Sequence, residues 1–458
     1  MSDNKDLDSV LHASYRQIKE WHKHLNAALA WRLHSRGFNK KYVKAQDIFY
    51  FDDEGHKYLD FLGGYGTNVV GHNHPRLKKL INDFLAEDNT IFMQVGHLPG
   101  PGALADKLRS LTGLDNYFFG SSGTEVVEAA IKLARKATGR KRIVYAEGGF
   151  HGKTLGSLSI TARPKYQEPY QPLIPGCICV PYNDPAAIEK ELRAKDVAAV
   201  ALEPIQGEGG IIIPDEGYLK EVRNICDKYD TLLFLDEIQT GLGRTGKMFA
   251  YEWEGIKPDI LTLAKGLSGM MIPAGAMITK SSIWDKAFGA RKDATQITST
   301  FGGNNLAMIV ALTTIKIIEE ERLIENARIQ GEYLLSGLQK LKEKHPKIIA
   351  DVRGKGLMAG VEFVSPPGIV SKSLKKATEL MFNESVATTV ATNLLNKEKI
   401  VTAYTLNNSN VLRLEPPLTV KKEHIDTLLD SLDKVLSLKY WGLALNGGKI
   451  MADSLVKK

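Results

Sequence analysis

The most constraining feature of this chain is a pair of short apolar runs, each ending at one charged residue. Leu232-Leu233-Phe234-Leu235 stops on Asp236, and Ile260-Leu261-Thr262-Leu263 leads through Ala264 to Lys265. Runs of four β-favouring residues read as buried strands. A charge at the carboxyl end of such a strand lies where open α/β sheets bind their ligands. Similar patterns alternate along the chain: strands are predicted at 117–119, 142–145, 198–202, 232–235 and 260–263, and helices at 77–84, 101–111, 125–138 and 216–229. This alternation predicts an α/β fold with a mainly parallel sheet flanked by helices.

Beyond about residue 309 the pattern changes to long helices (309–320, 326–344) followed by strands at 357–363 and 411–414, which reads as a smaller α+β domain. A hairpin over 50–60 and an amphipathic helix over 7–31 precede the large domain. The helix carries Leu7, Val10, Leu11, Ile18, Trp21, Leu25 and Leu29 at near-helical spacing. The expected division is an N-terminal segment 1–65 that joins the small domain, a large domain 66–324 and a C-terminal small domain 325–458. A chain of 458 residues is long enough for two cores.

The net charge of +7 is spread thinly, and the pairs Lys40-Lys41 and Lys457-Lys458 are too short for a nucleic-acid surface. Asp6, Asp8 and Glu20 direct the N-terminal helix towards protein rather than a membrane surface. No stretch approaches eighteen apolar residues, and the first residues lack an apolar leader, so a cytoplasmic protein is expected. Three cysteines make no disulfide framework, and Cys177-Ile178-Cys179 lacks zinc-ligand spacing. Burial is expected for Cys177, Cys179 and Cys226, and no metal site is expected.

Several segments could carry chemistry. Ser122 with Glu125 forms a capping-box pattern, and Gly123 and Thr124 behind it offer N–H groups and a hydroxyl at a positive helix end, a seat for phosphate. Phe150, held in Gly148-Gly149-Phe150-His151-Gly152, either packs in a core or stacks on a planar ring. Glu203 and Glu208 stand among glycines at a strand end. Asp236 needs an ion pair, a cap or a cationic ligand, and Gln239 could bond an oxygen on the same ring. Lys265 is either an exposed loop lysine or a Schiff-base nucleophile. An aspartate and a lysine from separate strands meet the needs of pyridoxal phosphate, one at the ring nitrogen and one at the aldehyde. Gly63-Gly64-Tyr65-Gly66 permits close backbone approach, and Thr298–Asn304 could add a second phosphate contact. Arg413, inside an apolar strand, calls for an acidic partner or a carboxylate ligand. Gly241–Gly246 matches a nucleotide-loop pattern, but Met248 stands where a magnesium-holding hydroxyl belongs, and the glycines start well past the strand.

Taken together, Ser122–Glu125, Phe150–Gly152, Glu203–Glu208, Asp236–Gly241, Lys265, Thr300–Asn304 and Arg413 with Pro416-Pro417 resemble the class III pyridoxal-phosphate-dependent aminotransferases over nearly the whole chain. The resemblance implies the fold-type I architecture and a homodimer, or dimer of dimers, with shared active sites. Within the family, Gly63–Gly66, Phe150–Lys153 and Thr405–Asn408 are most similar to the putrescine (diamine) aminotransferases. By the same resemblance Lys265 binds the cofactor covalently and moves the proton, Asp236 partners the ring nitrogen, and Gln239 the ring oxygen. Phe150 and Ile238 would cover the ring, Gly123 and Thr124 would hold the phosphate, and Thr300 would come from the other subunit. Glu208 resembles the family's gateway acid, and Arg413 its α-carboxylate arginine, with Tyr65 and Lys153 at the substrate.

One position departs. Ornithine and acetylornithine relatives commonly carry arginine where Lys153 stands, and a lysine cannot grip a distal carboxylate bidentately. The expected reaction moves the terminal amino group of a diamine or ω-amino compound, putrescine first, to 2-oxoglutarate or pyruvate. Ornithine, acetylornithine, 4-aminobutyrate and taurine are alternative donors. A mutase or decarboxylase using the same cofactor, or a nucleotide-binding protein, is a rival reading.

Overall fold

The computed structural model describes residues 9–11, 13–22, 24–364 and 386–456. The strands, in chain order, are β1 Tyr42–Gln46, β2 Phe49–Asp52, β3 Lys57–Asp60, β4 Asn116–Gly120, β5 Arg142–Ala146, β6 Cys177–Val180, β7 Val197–Leu202, β8 Leu232–Asp236, β9 Ile260–Leu263 and β10 Gly275–Thr279. They continue with β11 Ile349–Lys355, β12 Met358–Phe363, β13 Ile400–Val401, β14 Ala403–Tyr404 and β15 Val411–Leu414. A seven-stranded sheet has the order β4-β10-β9-β8-β7-β5-β6. Strands β5 to β9 pair in parallel, and β10 lies antiparallel between β4 and β9. All six residues of β7 are buried, as a strand covered on both faces must be. The helix Gly123–Thr138 lays Val126, Val127, Ala130, Ile131 and Ala134 on this sheet and returns the chain from β4 to β5.

Two smaller sheets complete the architecture, β1-β2-β3-β13 and β11-β12-β15-β14. The predicted hairpin forms with Phe49 opposite Leu59. Strand β13 then pairs in parallel with β3, Ile400 beside Leu59, so the early hairpin closes against the late part of the chain.

Several expectations need correction. The single helix over 7–31 is broken: helices run Tyr15–His22 and Ala27–Ser35, and the Asn26 side chain caps the second by accepting from Leu29 N at 3.0 Å. An Asx residue with extended backbone starts a helix at that point, and periodicity alone does not see it. Leu7 and the Lys457-Lys458 pair lie outside the described residues. Burial fails for two cysteines: Cys226 is buried, whereas Cys177 is half-buried and Cys179 exposed, because β6 is an edge strand. Strands β6 and β10 are not among the predicted strands; β10 begins on Gly275.

The Gly241–Gly246 stretch is scaffold. Arg244, fully buried, reaches out of it to donate to the carbonyls of Asn68 (3.1 Å), Leu357 (3.2 Å) and Pro416. It therefore fastens three remote segments by their backbones. Replacing Arg244 with Leu is expected to orphan three buried carbonyls and cost on the order of 3 kcal/mol. Urea unfolding would measure it; a loss under about 1 kcal/mol would mean that water or neighbouring groups replace the clamp.

Candidate active site

Five strand ends converge. β4 runs into Ser121–Thr124, β5 into the Gly148–Gly152 loop, β7 into Glu203, β8 ends on Asp236, and β9 leads to Lys265. Together with Thr67, Lys153, Ile238, Gln239, Ser268, Pro273 and Ala274 they line a cavity of about 520 Å3. Its location follows from the topology, because the parallel strands all deliver their carboxyl ends to one edge.

At one end is the N-terminus of the helix Gly123–Thr138. Ser122, in extended backbone, caps it by accepting from Glu125 N at 3.4 Å. The Glu125 carboxylate reaches back to Ser121 N at 2.7 Å. The first-turn N–H groups of Gly123 and Thr124 have no partner within a helix by construction. A Cβ on Gly123 would stand 3.0 Å from Ile238 Cδ1, so the wall there admits only glycine without displacement. The Thr124 hydroxyl meets those of Thr154 (2.7 Å) and Ser157 (2.6 Å). This corner can hold an anion.

In the middle sits a buried carboxylate. Asp236 Oδ2 accepts from His151 Nδ1 at 2.7 Å, and its Oδ1 accepts from Ile238 N (3.1 Å) and Thr262 Oγ1 (3.1 Å). Burial would lower the His151 pKa, but the Asp236 carboxylate outweighs it and holds the imidazole above its ordinary value. Glu203 lies close by. Its Oε1 accepts from Phe150 N (2.8 Å) and its Oε2 from Gly207 N (3.1 Å). Burial pushes its carboxyl up to about 7.

Lys265 occupies the opposite wall with a left-handed backbone (φ 39°), a conformation that costs a non-glycine residue about 1–3 kcal/mol. Its Nζ donates to Gln239 Oε1 at 2.7 Å, and Gln239 Nε2 donates to Glu415 Oε1 at 2.6 Å. Burial lowers the pKa of this amine, with Glu415 and Glu208 opposing the shift, which brings it towards the neutral nucleophile.

Beyond it is a second charged group. Arg413, fully buried on β15, lies 2.7 Å from Glu208 Oε1 and 3.5 Å from Glu415 Oε2. These are ion pairs without hydrogen-bond alignment: all three guanidinium nitrogens and Glu415 Oε2 are buried and lack a well-aligned partner. Burial alone would raise the Glu208 carboxyl, but Arg413 and the Leu406 N–H outweigh it and hold it below the usual carboxylate range. The Tyr65 ring stands 5.3 Å from the Arg413 guanidinium. Gly63, Gly64, Tyr65 and Gly66 all have positive φ, and a Cβ on Gly63 would come 2.2 Å from Glu415 O, so this turn demands glycine.

The structure thus gathers Gly123, Thr124, Phe150, Lys153, Asp236, Ile238, Gln239 and Lys265 around one cavity, with Glu208, Arg413 and Tyr65 forming the adjoining cluster. Thr300 does not line it; it is exposed, and its carbonyl accepts from Gln94 Nε2 at 3.4 Å. Sequence reasoning named His151 only as a loop member, read Glu203 as a functional acid at a strand end without assigning its role, and gave Glu415 no role. An acid directly before Pro416-Pro417 and two residues after a buried arginine was the available signal for Glu415.

A family model described as aminotransferase class-III matches residues 34–436. The chain belongs to the class III aminotransferases, which use pyridoxal phosphate. It is similar to a putrescine aminotransferase of Pectobacterium atrosepticum, 42% identical over 395 residues, covering 84% of this chain and 80% of that protein. It is also similar to the aminotransferase PigE of a Serratia species, 36% identical over 451 residues and 91% of this chain, although it spans about half (53%) of that longer protein. Among solved structures, the ornithine aminotransferase of Toxoplasma gondii superposes with a TM-score of 0.77 at 29% identity, covering 86% of this chain and 90% of that one. An acetylornithine aminotransferase from Elizabethkingia anophelis gives 0.72 at 31% identity, with 86% and 93% covered. No helix among the described residues is long and apolar enough to cross a membrane.

The Glu203 carboxyl titrates near 7 in the folded chain against an ordinary 4.5, so it binds its proton more tightly when folded. Its stabilising contribution is complete below about pH 4.5 and fades as pH rises to 7. A Glu203→Gln protein lacks that loss. Urea unfolding at pH 5 and pH 8 should show it gaining on the wild type by on the order of 2–3 kcal/mol. A pH-independent difference would refute the buried titration.

Proposed function

We propose that this enzyme moves the terminal amino group of a diamine, putrescine foremost, to a 2-oxo acid. The observation that carries the reading is the Glu208–Arg413 ion pair at 2.7 Å, linked through Glu415 and Gln239 to the amine of Lys265. A diamine brings no carboxylate, and a bare buried guanidinium would repel it. With Glu208 on Arg413 that charge is neutralised, and the site accepts a cationic donor. A 2-oxo acid brings a carboxylate of its own, which takes Arg413 when Glu208 turns away. The misaligned guanidinium nitrogens fit such an exchange, because little hydrogen bonding is lost when the pair opens. The similarity to a putrescine aminotransferase supports the same donor.

The residues present fit the family's cofactor. The Gly123–Thr124 helix end would hold the phosphate, Asp236 the ring nitrogen, Gln239 the ring oxygen, Phe150 and Ile238 the ring faces, and Lys265 the aldehyde carbon. Bound there, pyridoxal phosphate supplies an electron-withdrawing ring that stabilises the charge left on carbon when a proton is removed. Asp236, oriented by His151, would keep the ring nitrogen cationic. Lys265 Nζ, its proton affinity reduced by burial, would take the proton from the substrate carbon that bears the nitrogen and return it on the far side of that nitrogen, a 1,3-shift. Two half-reactions follow in turn, the donor leaving as an aldehyde and the acceptor as an amino acid. A homodimer, with Thr300 of each subunit turned to its neighbour's phosphate, agrees with the exposed cluster of Phe92, Val95 and Phe301 beside it.

Lys265→Ala should lose at least about 100-fold in turnover and the lysine-dependent absorbance of the purified protein; normal transamination by that variant would end the assignment. Glu208→Gln should slow the amine half-reaction roughly tenfold more than the oxo-acid half, read in single turnovers with putrescine and with pyruvate. Equal losses would remove the gate. A donor panel tests the diamine itself: putrescine should give a higher kcat/KM than ornithine, 4-aminobutyrate or taurine.

A further inference from the structure

The departure at Lys153 leaves the far end of a dicarboxylate acceptor without the planar arginine that relatives place there. The structure brings another arginine to the same wall. Ala162 N donates to Gly149 O at 2.9 Å, and His151 N donates to Thr161 Oγ1 at 2.9 Å, so residues 161–162 lie directly against the loop that faces the cavity. Arg163 comes next. Its guanidinium carbon stands 4.5 Å from the centre of the Tyr166 ring, and Lys153 Nζ, which lines the cavity, stands 4.6 Å from the centre of that same ring. Arg163 Nη1 donates to the Asn407 side-chain oxygen at 3.2 Å. Asn407 in turn belongs to the gate: its N–H donates to Glu208 O (2.9 Å), its Nδ2 to Gly148 O (2.8 Å), and the preceding Leu406 N–H donates to Glu208 Oε2 (2.8 Å).

Arg163 therefore stands between the cavity loop and the loop that holds the gate acid. Among the described residues, the one hydrogen bond of its guanidinium is to a neutral amide. Among the described residues neither Arg163 nor Lys153 has an acidic partner. Two cations on one aromatic ring with no carboxylate to offset them make a half-exposed receptor for an anion, and the guanidinium supplies the planar fork that Lys153 lacks. We propose that Arg163 is the specificity-determining residue for the acceptor: it binds the distal carboxylate of a five-carbon dicarboxylic 2-oxo acid, with Lys153 beside it as a second point charge. The proposal rests on the aminotransferase reading above and names which acceptor class that site selects. A monocarboxylic acceptor such as pyruvate ends short of Arg163 and makes no use of it.

The test uses the holoenzyme converted to its aminated form with pyridoxamine phosphate, so it does not depend on which amine is the natural donor. In Arg163→Gln the 2-oxoglutarate concentration giving half-maximal single-turnover rate should rise roughly 10- to 100-fold, the worth of one charge-assisted contact. Pyruvate should change less than about twofold, and Arg163→Lys should recover part of the loss. Glutarate, which binds without reacting, gives a second readout: by calorimetry its Kd should rise by a similar factor in Arg163→Gln while that of propionate stays put. Parallel loss with both acceptors, no loss with either, or a wild-type enzyme that uses pyruvate but not 2-oxoglutarate would overturn the proposal. Failure of putrescine to aminate the enzyme would sink the diamine reading and leave this result standing.

Discussion

The buried carboxylate of Asp236 is the interaction on which the rest of the site depends. It stands at the end of a strand in which the three residues before it, Leu233, Phe234 and Leu235, are apolar and enclosed, where water cannot solvate it. An unpaired carboxylate there would cost several kcal/mol. Three donors replace the lost water: the His151 imidazole, the Ile238 N–H and the Thr262 hydroxyl. Each comes from a different loop or strand, so satisfying one charge fixes β8, β9 and the loop after β5 relative to one another. That loop also carries Phe150, whose N–H is held by Glu203 at the end of β7.

A second balance of charge is set against the first. Arg413 faces two acids, and one of them, Glu415, also holds Gln239, which meets the Lys265 amine. The amine, the amide, two acids and the guanidinium thus form one chain of contacts running from the large sheet into β15 of the smaller one. A change in the charge presented to Arg413 is felt three contacts away at Lys265, through Glu415 and Gln239. The geometry joins substrate selection to the reacting amine through buried contacts, where charges are poorly screened.

Much of this was legible in the residues. Five of the seven strands of the large sheet follow from short apolar runs, and the capped helix at Gly123 follows from Ser122 and Glu125. Where the reading went astray, local patterns failed to record the environment. The run Gly275–Thr279 was not among the expected strands, yet it is held by pairing to β4 and β9 on both sides. Cys179 looks like a small core residue, yet its strand lies at the sheet edge. The N-terminal apolar stripe looks like one helix, yet a single Asn26 cap divides it.

The sequence by itself determined the class of chemistry. Strand-ending Asp236 and Lys265, the glycine loops and Arg413 are each tied to a local requirement: a strand end, a helix cap or a close backbone approach. Only the tertiary structure decided which charges meet. The pairings of His151 with Asp236 and Gln239 with Glu415 join residues 85 and 176 positions apart. The same holds for Arg163, which shares one ring with Lys153 and one amide with the gate loop. Such contacts depend on sheet order and on the closure of β13 against β3. No local propensity encodes them, because they arise when distant segments bury one another's charges.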